Sequence, residues 1–131
     1  MNDVGLFNDS FERNITDNYQ HFFSAFYRCF ESKSPVVSKM FAQTSETKRY
    51  EMLEDSLLIL MDYSSTRVAS EDLIELARYH SKLGVPADLF TLWLDALIES
   101  LRQLDPHFND EYALAWRMVL EPGVSFMKGY Q

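Results

Sequence analysis

Residues 70–86 read SEDLIELARYHSKLGVP, and the side chain at position 80 decides how the rest of the chain is understood. Leu73, Leu76 and Ala77 fall on one helical stripe, and His80 completes it at the i, i+3, i+4, i+7 spacing of an apolar face. Ser70 offers an N-cap, Glu71 and Asp72 suit the positive end of the helix dipole, and Gly84 and Pro86 close the element. An imidazole on an apolar face needs a partner. Either a carbonyl or hydroxyl satisfies it inside an ordinary core, or it holds a cofactor in a large apolar pocket.

Outward from this helix the chain keeps the same helical periodicity. On its N-terminal side, a polar stretch at 43–47 leads into a long helix ending near Tyr63. Leu53, Leu57, Leu60 and Met61 form its buried stripe, with Met52 and Ser56 at the edge. Ser34 and Pro35 read as a cap followed by proline at the first helical position, starting a short helix with Val36, Val37, Met40 and Phe41. Thr16 is placed to cap a helix bearing the aromatic stripe Tyr19, Phe22, Phe23, Phe26, Tyr27 and Phe30, and a short first helix is expected over 4–13. On the C-terminal side a helix over 87–104 turns Phe90, Trp93, Leu94, Leu97, Leu101 and Leu104 inward. Asp105 and Pro106 break it, leaving His107 exposed in the loop. Asn109 caps the last helix, whose inward face is Tyr112, Ala115, Trp116, Val119 and Leu120, and Pro122 is expected to kink or split it before Phe126 and Met127. No segment alternates with period two and no repeat or linker interrupts the pattern. The expectation is an all-α fold in a single domain over 1–131.

Composition narrows the function. With 10 Phe, 7 Tyr and 2 Trp against 4 Gly and 4 Pro in 131 residues, few breakers and many large rings favour helices around a wide interior. A formal net charge of −8 argues against non-specific nucleic-acid or anionic-membrane binding, which needs a basic surface. Cys29 is the lone cysteine, so no internal disulfide or cysteine zinc site is expected, and it suits a buried or half-buried packing position. The first residues form no signal sequence, and no run approaches the roughly 18 apolar residues of a membrane span, so a cytoplasmic location is expected. Glycine-rich phosphate loops, nucleophile elbows and HExxH are missing, which leaves hydrolase or phosphoryl-transfer chemistry without support. For His80 the cofactor alternative is then an axial ligand to a haem iron, which asks for one histidine on a helix and an apolar pocket rather than a ligand cluster.

In order and spacing, three blocks resemble the globin family, single-domain bacterial haem globins in particular. They are FYRCFESKSPVVSKMF at 26–41, LIELARYHSKLGV at 73–85, and Phe90 with WLDALIESL at 93–101 and AWRMVL at 115–120. The likeness runs over nearly the whole chain from Thr16 onward. It implies a globin-like fold of roughly six to eight helices around a haem pocket and haem b (iron protoporphyrin IX) as cofactor. His80 would be the axial ligand, its other ring nitrogen donating to the Leu76 carbonyl one turn earlier. Phe41 would lie against the porphyrin plane, with Val85, Phe90, Leu53, Leu57 and Trp93 walling the pocket. Tyr27 would stand above the iron, its hydroxyl either donating to bound oxygen or reaching a core carbonyl or the surface.

The distal helix departs from the family pattern, because no histidine lies between Phe41 and Tyr63. Counting from Phe41 puts Glu51 or Met52 at the gas-facing position, while counting back from His80 puts Lys48 there. Helical phase prefers Met52 and Ser56, since charges are rarely buried unpaired. Met52 is a candidate sixth ligand. Lys48 and Arg49 either pair with haem propionates or face solvent.

Function follows from the resemblance as an expectation: reversible binding of oxygen, nitric oxide or carbon monoxide, for storage or transport, scavenging or sensing. The alternative is a haem-free globin-like sensory or protein-interaction module. Nitric oxide dioxygenation needs the iron re-reduced at every turnover and would depend on an external reductase. Leu120 also stands four residues after Trp116, where flavohaemoglobins carry a supporting tyrosine. The expected partners are the diatomic gas and, through the last two helices, a second copy, with neither nucleic acid nor membrane.

Overall fold

Four short polar side chains set helix starts. Ser34 Oγ accepts from the Val36 amide, Ser45 Oγ from Lys48, Ser70 Oγ from Leu73 and Asn109 Oδ1 from Tyr112, each taking up a donor that a helix start leaves unpaired. The computed structural model describes residues 3–130. In chain order these form α1 (Asp3–Phe11), a π-helical turn (Glu12–Thr16), α2 (Tyr19–Lys33), α3 (Pro35–Phe41), α4 (Glu46–Thr66), α5 (Glu71–Lys82), α6 (Ala87–Leu104) and α7 (Asp110–Gly129). The fold is all-α, with no strand among the described residues. No helix among them is long and apolar enough to cross a membrane.

The principal packings are α1 on α7, α2 on α6 and α4 on α7. Phe22, Phe23, Phe26, Leu97, Leu101, Trp116 and Leu120 are fully buried where these pairs meet, and Phe7 lies 4.6 Å from Trp116 between ring centroids. Trp116 buries a polar nitrogen as well as its rings. Its Nε1 donates to Ser10 Oγ at 2.9 Å, so no unpaired donor is left in the core.

Several sequence expectations are corrected. The expected helix over 4–13 ends at Phe11, and Thr16 belongs to the π-helical turn rather than capping α2, which starts at Tyr19 behind Asn18. That turn buries Asn14 and Ile15. Its side chains reach across the molecule: Arg13 donates to Asp105 Oδ2 from Nε at 3.0 Å and Nη2 at 2.7 Å, and Asn14 Nδ2 donates to the same oxygen at 3.0 Å. At the end of α6 it is Asp105, 4% exposed, that turns inward, while Leu104, expected inside, is 37% exposed. The long helix also runs on to Thr66, where Arg67 takes a left-handed conformation at φ 59 and donates its amide to Tyr63.

The expected break at Pro122 does not occur, and α7 continues through it to Gly129. Proline forfeits one amide donor of the helix. Packing sustains the helix beyond it: Gly123, Val124 and Met127 are buried, and a Cβ at Gly123 would overlap the Leu60 side chain of α4. Continuity here matters to function, because Val124 and Met127 line the cavity described next.

Candidate functional site

A cavity of about 800 Å³ opens between α4 and α5 and is lined mainly by apolar side chains. Tyr27 and Phe30 come from α2, Val37, Met40 and Phe41 from α3, and Leu89, Phe90 and Trp93 from α6. α4 supplies Lys48, Met52, Ser56 and Ile59 along one stripe, flanked by Leu53 and Leu60, and α5 supplies Leu76 and His80, followed by Val85. The exposed side chains Asp55, Leu58, Asp72, Glu75 and Tyr79 also line it.

His80 is the best-defined polar group on this wall. Its Nδ1 donates to the Leu76 carbonyl at 2.8 Å, and its ring lies 5.9 Å from that of Phe90. Since a carbonyl only accepts, the bond fixes the tautomer with the proton on Nδ1. Nε2 is then a free lone pair, without a hydrogen-bond partner among the described residues. Among these residues no group of three or more His, Cys, Asp or Glu side chains converges. An ion taken up at His80 must therefore bring most of its own ligands, as iron in a porphyrin does.

Of the side chains singled out in the sequence, Tyr27, Phe41, Lys48, Met52, Leu53, Ser56, Leu76, Val85, Phe90, Trp93 and His80 line this one cavity. Two do not. Leu57 is fully buried in the helix core behind the wall. Arg49 turns away: Nη1 donates to Glu31 at 2.7 Å, Nε to the Thr44 carbonyl at 3.2 Å and Nη2 to the Phe41 carbonyl at 2.5 Å. Its guanidinium also lies over the Tyr27 and Phe41 rings, 5.9 and 5.6 Å from their centroids. Arg49 thus ties the start of α4 to α2 and α3, with all three of its nitrogens turned to protein partners rather than to the cavity. Glu51, an alternative for the gas-facing position, is exposed and off the wall, whereas Met52 and Lys48 are on it.

The Tyr27 hydroxyl takes the core-carbonyl alternative. It donates to the Arg49 carbonyl at 2.5 Å, and burial, the largest cause, pushes its phenol far up from the ordinary value, so it stays protonated. Tyr27→Phe is expected to cost about 1 kcal/mol of stability, read as a lower denaturation midpoint with unchanged slope. An unshifted midpoint would mean that the bond does not form in solution.

Phe30, Val37, Met40, Ile59, Leu89, Val124 and Met127 also line the cavity, and neither the resemblance nor helical phase had assigned them to it. Ile59 was accessible, because it extends the Lys48, Met52, Ser56 stripe by three residues. Val124 and Met127 were not, since they reach the cavity only if α7 survives Pro122.

Six helices, α2 to α7, arranged around one large apolar cavity with a histidine on its wall define a helical fold with a ligand-sized space inside it. Neither a protein-family model nor a curated protein matches the sequence. A Pseudomonas aeruginosa protein, whose crystal structure is described as structurally highly homologous to a human hemoglobin, is similar over 98% of each chain, at 30% identity and a TM-score of 0.88. The chain belongs to the globin family.

Proposed function

We propose that the protein binds haem b in this cavity through His80 Nε2 and uses it to bind oxygen, nitric oxide or carbon monoxide reversibly, for storage or transport, scavenging or sensing. The observation that carries this reading is the His80 ring: pinned through Nδ1 to the Leu76 carbonyl, it presents an unpartnered Nε2 at an apolar cavity of about 800 Å³. A group fits there if it is large, flat, mostly apolar and in need of one nitrogen donor. Haem meets each condition, and when bound it supplies an iron with a further coordination position for a diatomic gas.

The chain's own residues then divide the work. The Leu76 carbonyl holds the imidazole in orientation. Phe41, Phe90, Trp93, Val85 and Leu53 keep water from the site, which strengthens every polar contact made inside it. Arg49 braces Phe41 by bonding its carbonyl, so the ring is held rather than free to fill the cavity. A cytoplasmic setting accompanies this reading, in keeping with the acidic charge and the single cysteine.

Hemin titration of the apoprotein tests it. Trp93 lines the cavity, so tryptophan fluorescence should quench to an endpoint of one hemin per chain while an intense Soret band grows. No saturable quenching at micromolar protein would remove haem from the cavity and leave the haem-free module.

A further inference from the structure

Residues 35–44, α3 with the start of its connection to α4, are the least deeply packed part of the cavity wall. They supply Val37, Met40 and Phe41 to it, yet Val37 is the one buried side chain of α3, whereas α2, α6 and α7 each bury six or more. A single extended residue flanks the stretch at each end, Ser34 at φ −158, ψ 132 and Ser45 at φ −65, ψ 157. Such positions between elements are where a moving segment takes up its change of backbone angle.

Among the described residues, three hydrogen bonds tie this stretch to α2 and α4. Ser38 Oγ donates to the Glu31 carbonyl at 3.5 Å, too long to hold it firmly. The other two come from one guanidinium: Arg49 Nη2 donates to the Phe41 carbonyl at 2.5 Å and Nε to the Thr44 carbonyl at 3.2 Å. Nη1 is anchored on Glu31 of α2 at 2.7 Å, and both members of that ion pair are partly shielded from water, which makes their charge-assisted bonds stronger than those of an exposed pair. One side chain is thus rooted in α4, braced on α2 and closed on the backbone of the segment between them.

We infer that residues 35–44 form a lid on this end of the cavity, that Arg49 is its latch, and that the occupant enters and leaves when the latch opens. The other helices bearing the wall cannot swing aside as easily, because α2, α6 and α7 carry most of the fully buried core. The gap between α4 and α5 is flanked by Asp55, Asp72 and Glu75, which repel a ligand that carries carboxylates, as haem does. Naming haem as the occupant rests on the reading above; the latch does not.

Limited trypsin digestion of the apoprotein reads the lid without haem, since the exposed Lys39 lies within it, while Arg117 in the middle of α7 reports opening of the whole fold. Arg49→Met should speed cleavage after Lys39 by about tenfold or more and leave cleavage after Arg117 unchanged. Arg49→Lys, whose single ammonium cannot serve all three acceptors at once, should fall between Arg49→Met and wild type, and so should Glu31→Gln, which removes the anchoring charge. In the hemin-loaded proteins, hemin transfer to an excess of a competing apoprotein should quicken in the same order. Unchanged cleavage after Lys39 in Arg49→Met, or equal acceleration after Lys39 and Arg117, would overturn the latch. Faster cleavage after Lys39 with unchanged hemin transfer would overturn the exit route. A wild-type protein that takes up no hemin sinks the haem reading, and the lid then stands or falls on the trypsin result alone.

Discussion

His80→Ala should lower hemin affinity by at least about 100-fold, since on the proposed reading it deletes the iron ligand itself, whereas altering a residue that merely supports a ligand costs about 10- to 100-fold. The expected readouts are a Soret band that is lost on gel filtration and a hemin dissociation rate raised to match. Stability of the apoprotein should change little, because the half-buried ring makes one hydrogen bond, to the Leu76 carbonyl. Free imidazole fits the space the substitution leaves and should restore much of the spectrum. Restoration separates loss of a ligand from loss of the fold. Unchanged hemin retention in His80→Ala would place the iron elsewhere.

Asp105→Ala should be strongly destabilising although it lies outside the cavity. The carboxylate is 4% exposed and accepts from Arg13, Asn14 and the His107 amide, so its removal takes a partner from the buried Asn14 and from the partly exposed Arg13 and His107 amide. Breaking a buried pair of this kind costs about 3 kcal/mol, discounted for the partial exposure of Arg13. In a domain of this size that lowers the melting temperature by roughly 10 °C. Burial is the largest single influence on the Asp105 carboxyl and raises its pKa. The bonds from Arg13, Asn14 and the His107 amide together outweigh it and hold the group below its ordinary value of 3.8. The unfolded chain therefore binds the proton more readily. The stabilisation is complete above pH 3.8 and is lost as pH falls from there through the lower folded value. Wild type should lose stability more steeply than Asp105→Ala across that acid window. Parallel acid-unfolding curves, or a cost under about 0.5 kcal/mol, would contradict this role.

What sequence could reveal was local. Ser34 with Pro35, Ser70 and Asn109 announced helix starts because a cap is a bond between near neighbours, and the bounds of α6 were set by Pro86 and Asp105 on the same terms. The π-helical turn escaped because its reward lies about ninety residues away, at Asp105. Pro122 misled for the same reason: the intrinsic penalty is visible in the chain, while the packing of Gly123 on Leu60 that offsets it is not.

The site divides along the same line. Inward residues of α5 and α6 followed from helical phase, except Leu104 at the end of α6. On α4 the register depended on the 42–45 connection, which no periodicity fixes, so Lys48, Glu51 and Met52 stayed open until the helix start at Glu46 placed Lys48 and Met52 on the wall. Arg49 was legible as a charge near the pocket. Its inward turn onto Glu31, Thr44 and Phe41 depends on three backbone segments meeting there, and no local pattern encodes that meeting.

The optical spectrum of the hemin-loaded protein, reduced and then exposed to carbon monoxide, bears most directly on the cavity's use. If a single imidazole holds the iron, the Soret band should sharpen and move to the blue on adding carbon monoxide, to a position typical of a histidine-ligated adduct. A reduced spectrum that ignores the gas would mean that both faces of the iron are closed or that the cavity holds no haem, and would contradict a gas-binding role.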